Sequence, residues 1–154
     1  MDLESVKRYL EKGGSENESS FIDSMPPKFF ETLITQGLHV DLIQPGRVIC
    51  TMKVPPRLLN ADNVFHGGAT AMLVDLVGTT AIYSLGGSVT GVSVEINISY
   101  MDAAYADEEI EIEAKALHVG KVVAVISVEL RKKKTGKIIA QGRHSKYLYV
   151  PSKM

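Results

Sequence analysis

Two features of this chain combine residue type and setting in a way that suits chemistry. The first is Asp75, the one carboxylate in the otherwise apolar or small run 66–85, HGGATAMLVDLVGTTAIYSL. An unpaired carboxylate among apolar side chains costs several kcal/mol or takes up a proton. Its uses are proton transfer or attack; a structural bond to a hydroxyl or a backbone N–H is the alternative. The second feature is His66-Gly67-Gly68, directly ahead of the same run. Paired glycines leave the first N–H groups of a helix uncovered, and those donors, with the helix dipole behind them, suit a negative oxygen. Glycines merely tolerated at a helix start, beside a satisfied boundary histidine, would look the same.

Distance links the two features. Gly67 and Asp75 are eight residues apart, about 12 Å along a helix rising roughly 1.5 Å per residue. A donor and a carboxylate that act on one carbonyl must both lie within a few ångströms of it. One copy of the helix cannot do this, whereas two antiparallel copies can. If both features are functional, the protein is at least a dimer with two equivalent shared sites. At helical spacing Ala71, Asp75, Gly78 and Ile82 share a stripe, and Gly78 leaves room beside the carboxylate for a ligand or another backbone.

The elements that must hold these residues follow from periodicity. The run from His66 lacks period-two alternation and is too long for an ordinary strand, so it predicts a helix. Being apolar all round, it predicts burial on nearly every side, and the chain after it reads as the sheet that does the burying. Val92, Val94, Ile96, Ile98 and Tyr100 alternate with Ser93, Glu95, Asn97 and Ser99. Ile110, Ile112, Ala114 and Ala116 alternate with Glu111, Glu113 and Lys115, and Val122, Ala124, Ile126, Val128 and Leu130 form a third strand beyond a turn near Gly120. The stretch 132–137, KKKTGK, is a hairpin turn before a last strand over 138–150. Upstream, His39–Gln44 and Val48–Val54 flank the turn Pro45-Gly46, and a helix capped by Asp23 or Ser24 starts at Pro26-Pro27 and stops at Gly37. Residues 1–12 form a short amphipathic helix with Leu3, Val6 and Leu10 on one side, and 13–20 (GGSENESS) a mobile linker. The expected division is an N-terminal segment 1–22, one α+β domain over 23–150 with an antiparallel sheet wrapped around a long central helix, and a tail 151–154.

Composition narrows the class. With 154 residues and 45% hydrophobic content, the chain can build one real core. A net charge of −1 argues against nucleic acid as the main partner. The single Cys50 excludes a disulfide framework and points to an intracellular, reducing home. No apolar run is long enough to span a membrane, and the start MDLESVKRYLEK has no signal-peptide core. Ser152-Lys153-Met154 differs at one position from the peroxisomal address Ser-Lys-Leu, so the location is peroxisomal or cytoplasmic. His39, His66, His118 and His144 lack metal-ligand spacing. Gly91-Val92-Ser93-Val94-Glu95 has Glu where a nucleophile elbow needs its second glycine. The basic run Arg131–Lys134 is a solvated hairpin end or a contact for ligand phosphates.

Asn60, HGG at 66–68, Asp75, GVSVEINISYM at 91–101 and AQGRHSKYL at 140–148, in this order, resemble the small hot-dog-fold acyl-CoA thioesterases over residues 25–150. The resemblance implies a sheet wrapped around a long helix, a homodimer as the catalytic unit and a homotetramer of two dimers. It implies that Asp75 is general base or nucleophile, that the Gly67 amide binds the thioester oxygen with Asn60 and His66 beside it, and that Ser93 helps hold the attacking water. Carboxylate and serine come from one subunit, glycine and asparagine from its partner. Coenzyme A, as part of the substrate and not a cofactor, would lie along Glu95, Tyr100, Met101, His118, Val119, Gly120, Lys121 and Tyr147. One departure is Asp102-Ala103-Ala104-Tyr105 after Met101, where relatives often carry Ser-Pro-Ala. The implied activity is hydrolysis of medium- to long-chain fatty acyl-CoA, in lipid metabolism. The alternatives are an aryl-CoA thioesterase (hydroxynaphthoyl- or hydroxybenzoyl-CoA) and a non-catalytic acyl-CoA-binding protein.

Overall fold

A computed structural model describes residues 2–11, 21–86 and 91–148; the expected linker 13–20, the end of the last strand and the tail 151–154 lie outside them. The chain divides into two compact units, 1–33 and 34–154. In the first, helix α1 (Leu3–Leu10) is capped by Asp2, whose carboxylate accepts the Ser5 N–H at 2.7 Å, and none of its residues is buried. The helix expected from Pro26 instead begins at Phe29, as α2 (Phe29–Thr35). Lys28 sits at φ +67° and Pro26–Phe29 closes as a turn, Phe29 N–H to Pro26 C=O at 3.2 Å, which breaks helical continuity ahead of it.

The second unit carries the site. Strands β1 (His39–Gln44), β2 (Arg47–Lys53), β3 (Val92–Tyr100), β4 (Glu109–Val119), β5 (Val123–Lys132) and β6 (Ile138–Tyr147) form one six-stranded sheet in the order β1-β2-β4-β5-β6-β3. Every neighbouring pair is antiparallel. Helix α3 (Gly67–Tyr83) runs across its inner face. Val48, Cys50 and Met52 of β2, Ile110, Ile112 and Ala114 of β4, and Ala124, Ile126, Val128 and Leu130 of β5 point inward and are buried against it. Their alternation partners make an outer charged face, where Glu113 and Glu129 oppose each other directly. Arg131 reconciles them, its Nη1 lying 3.1 Å from a carboxylate oxygen of each.

Two expectations change. The apolar helix is not buried all round. Ala69, Thr70, Leu73, Val74, Val77, Gly78, Ala81 and Ile82 are covered, while Ala71, Met72, Asp75, Leu76 and Thr79 are half-buried and Thr80 and Tyr83 exposed. One curved sheet covers one flank of a cylinder, and the sheet leaves the other flank open. The alternation of β3 also breaks. Ile96 pairs with His144, but a bulge between Ser93 and Glu95 puts Ser93 opposite Lys146 and Val92 opposite Tyr147. Residues directly opposite in an antiparallel pair share a face, and one extra residue inverts the period-two pattern beyond it. Ser93 therefore faces the helix, and Val92 turns away from it. Val122 likewise precedes β5 and is 52% exposed instead of extending the buried row.

Candidate active site

Ser93, brought inward by the bulge, places its Oγ 2.7 Å from Nε2 of His144. His144 stands on β6 between Gly142 and Lys146 at inward-facing positions and is fully buried. The same Nε2 lies 3.7 Å from Oδ1 of Asp75, in the middle of α3. Asp75 was expected to be enclosed by apolar side chains; its carboxylate is 39% exposed, on the margin between the covered and the open flank of the helix. It thus meets the sheet on one side and can meet a substrate on the other. Lys146, 5% exposed, donates to Thr79 Oγ1 at 3.1 Å, and Thr79 Oγ1 donates to the Asp75 carbonyl at 2.8 Å.

Burial holds both basic groups below their ordinary values. For His144 desolvation is the main cause and the Lys146 charge adds to it, against the opposite pull of Asp75. For Lys146 desolvation again dominates, opposed by Asp75. A neutral imidazole, a hydroxyl and a carboxylate open to solvent therefore stand side by side. The space at Gly78, expected to admit a ligand or another backbone, is taken by the chain itself. A β-carbon there would stand 3.3 Å from Val128 Cγ2 and 3.5 Å from His144 Nδ1.

The start of α3 forms a second, separate constellation. His66 is its N-cap, and its Nδ1 accepts the Gly68 N–H at 2.8 Å. Among the described residues no hydrogen bond engages the Gly67 N–H. Of the two glycine amides, one is spent on the cap and the other is open. Tyr100, at the end of β3, donates its hydroxyl to the Gly67 carbonyl at 2.7 Å. Asn60 folds the preceding loop, its Oδ1 accepting the N–H groups of Asp62 at 2.9 Å and Val64 at 3.2 Å.

Ser93 and Tyr100 mark opposite ends of β3, roughly 23 Å apart at 3.3 Å per strand residue. The carboxylate–serine–histidine cluster sits at one end and the open amide at the other, as the helix rise requires. The positions matching coenzyme A contacts split in the same way. Tyr100 and Met101, both exposed, lie at the Gly67 end, while His118 and Val119 at the end of β4 and Gly120 and Lys121 in the turn after it lie near Tyr147 at the Ser93 end. Glu95 is exposed and pairs with Ser145. One chain does not gather them. Of the basic run, Arg131 is committed to Glu111, Glu113 and Glu129, and Lys132 to Glu108. Among the described residues no three His, Cys, Asp or Glu side chains converge as metal ligands.

His144 and Lys146 were not singled out from sequence as site residues. A signal was present: from the buried Ala140, period two carries inward through Gly142 to His144 and Lys146, and two basic residues at inward positions of a strand need a reason. Together, an open carboxylate, a held hydroxyl and a separate helix-start amide are the parts of a hydrolase for an activated acyl group. The sequence model of the thioesterase superfamily matches residues 62–139. Acyl-coenzyme A thioesterase 13 of Homo sapiens is 50% identical over 104 residues, 68% of this chain and 74% of that one. The Mus musculus protein of the same name is 48% identical over the same shares. The crystal structure of thioesterase superfamily member 2 from Mus musculus superposes with a TM-score of 0.74 at 39% identity, covering 88% of this chain and 100% of that chain. The chain belongs to the thioesterase superfamily. It has the hot-dog fold and is a thioester hydrolase. Among the described residues no helix is long and apolar enough to cross a membrane.

Proposed function

We propose that this protein hydrolyses acyl-CoA to free acid and coenzyme A, at a site built by two subunits. The carrying observation is the separation of the open Gly67 amide from Asp75 and Ser93 within one chain. The exposed flank of an otherwise apolar α3, with Asp75 on its margin, supports an antiparallel second copy. In that arrangement the thioester oxygen accepts the N–H from Gly67 of the partner subunit. Asp75 takes a proton from a water held at Ser93, and the water oxygen bonds to the carbonyl carbon. The tetrahedral intermediate then collapses, the C–S bond breaks, and the departing thiolate recovers the proton. Direct attack by Asp75, through an anhydride that water then opens, uses the same groups. Two such dimers form the homotetramer, and coenzyme A lies across subunits, which accounts for the division of its expected contacts between two ends of one chain. The acyl group is a medium- to long-chain fatty acid, and the enzyme serves peroxisomal or cytoplasmic lipid metabolism.

Complementation tests the shared site. Gly67→Pro removes the amide donor and sets a ring beside Tyr100, whose Cε1 a β-carbon there would meet at 3.4 Å. The backbone accepts it, because proline suits the first helical position and His66 already has the extended backbone that proline requires of its predecessor, at φ −64°, ψ 129°. Gly67→Pro and Asp75→Asn proteins, each nearly inactive, are unfolded together, refolded as a mixture and assayed for thiol release from palmitoyl-CoA. Random pairing restores about a quarter of wild-type turnover, since half the dimers are mixed and each has one whole site. A mixture as inactive as its components overturns the shared site. Higher rates on aryl-CoA across a substrate panel would reassign the acyl class, and no thiol release from any wild-type assay would leave an acyl-CoA-binding protein.

A further inference from the structure

The proposed hydrolysis uses Asp75, Ser93 and Gly67 and leaves His144 without a task, although its ring is fully buried between the two reacting side chains. Its Nε2 faces Ser93 Oγ at 2.7 Å and Asp75 Oδ1 at 3.7 Å. Among the described residues its Nδ1 is buried with no hydrogen-bond partner, facing the backbone of Gly78 among the methyl groups of Val128 and Ile126. The charged and titratable groups around it are Asp75 from α3 and Lys146 from its own strand; β3 contributes the neutral Ser93. Burial keeps the ring neutral below the ordinary histidine range.

A neutral imidazole has one N–H and one bare nitrogen, and the partner of each decides which is which. With the proton on Nδ1, a buried donor would find no acceptor among the described residues and a bare Nε2 would face a carboxylate. Both placements are unfavourable. With the proton on Nε2, the N–H meets the Ser93 oxygen and points toward the side of the negative Asp75. Only a bare acceptor is then left in the apolar pocket, and buried acceptors lacking partners are less rare than buried donors lacking them.

We infer that His144 is a positioning residue that donates Nε2–H to Ser93 and so commits the serine's own proton to the reaction side of the site. Ser93 then donates to the oxygen of the attacking water. The water retains one hydrogen for Asp75 and one lone pair for the carbonyl carbon. The inference deepens the proposed hydrolysis and rests on that reading.

Two measurements on the full chain test it. In protein labelled with 15N-histidine, the long-range 1H–15N spectrum reads which ring nitrogen of His144 carries hydrogen; a proton on Nε2 is expected, and one on Nδ1 overturns the inference. Steady-state hydrolysis of palmitoyl-CoA then separates kcat from KM. His144→Phe, which keeps a flat ring but no donor, should lower kcat on the order of tenfold, the equivalent of one hydrogen bond, with KM little changed. His144→Gln, which restores an amide donor near the Nε2 position, should recover part of that loss. The Ser93→Ala/His144→Phe double variant should be no slower than Ser93→Ala, since the histidine acts only through the serine. Losses that multiply instead overturn the inference. An active wild type with an equally fast His144→Phe protein overturns this assignment and leaves the thioesterase reading standing; a wild type that releases no thiol overturns that reading and the inference with it.

Discussion

Gly78 of the central helix and His144 of β6 are so close that a β-carbon on the glycine would stand 3.5 Å from the ring's Nδ1 and 3.3 Å from Val128 Cγ2. Val128 is fully buried and has no room to retreat. Gly78→Ala should gain up to about 1 kcal/mol in helix propensity but lose more to overpacking, typically 1–3 kcal/mol. The expected net is a destabilisation of about 1 kcal/mol, read by urea denaturation, with a fall in kcat as the ring is pressed toward Ser93.

Asp75→Asn keeps the side chain's size and its place beside His144 but removes the base. Proton transfer by a positioned side chain contributes typically 10²–10⁴-fold, so kcat on palmitoyl-CoA should fall at least about a hundredfold. Calorimetric binding of a non-hydrolysable acyl-CoA analogue should be retained. Unchanged turnover would remove Asp75 from the reaction.

Tyr100 steadies the first turn of α3 through its hydroxyl on the Gly67 carbonyl, although the residue is 57% exposed. Tyr100→Phe should cost about 0.5 kcal/mol of stability, the low end for one hydrogen bond at a wet surface. It should lower kcat about threefold by loosening the turn that presents the open amide. Thermal melting and steady-state kinetics on the same preparation check both effects.

On the outer face, Arg131 joins Glu111, Glu113 and Glu129, and Arg47 adds a 2.6 Å bond to Glu113. Removing the central guanidinium leaves three carboxylates crowded on neighbouring strands, so Arg131→Gln should destabilise the fold by about 2 kcal/mol. Burial raises the Glu113 carboxyl, but hydrogen bonds from Arg47 and Arg131 outweigh it and hold the group below its ordinary value. A depressed folded value means that the contribution is complete above the unfolded pKa, about 4.3, and is lost as pH falls through the folded one. Wild-type stability should therefore decline below about pH 5, and the Arg131→Gln protein should lose less over the same interval. Equal slopes in urea titrations at descending pH would contradict this origin.

Much of this protein is determined by short-range pattern. The helix over 67–83 follows from an apolar run with glycines at its head, and the strands from alternation. The separation of the Gly67 amide from Asp75 follows from the helix rise alone, before any tertiary contact is known. The three-dimensional structure decided what those rules cannot reach. One extra residue near Val94 turned Ser93 inward, because a bulge is set by pairing with β6, fifty residues away, and leaves no mark on the local period. The same pairing brought His144 to Ser93 and filled the hollow at Gly78. It also left Asp75 half open, since how far a sheet wraps around a helix depends on strand count and curvature, and these are properties of the assembled sheet rather than of any segment within it.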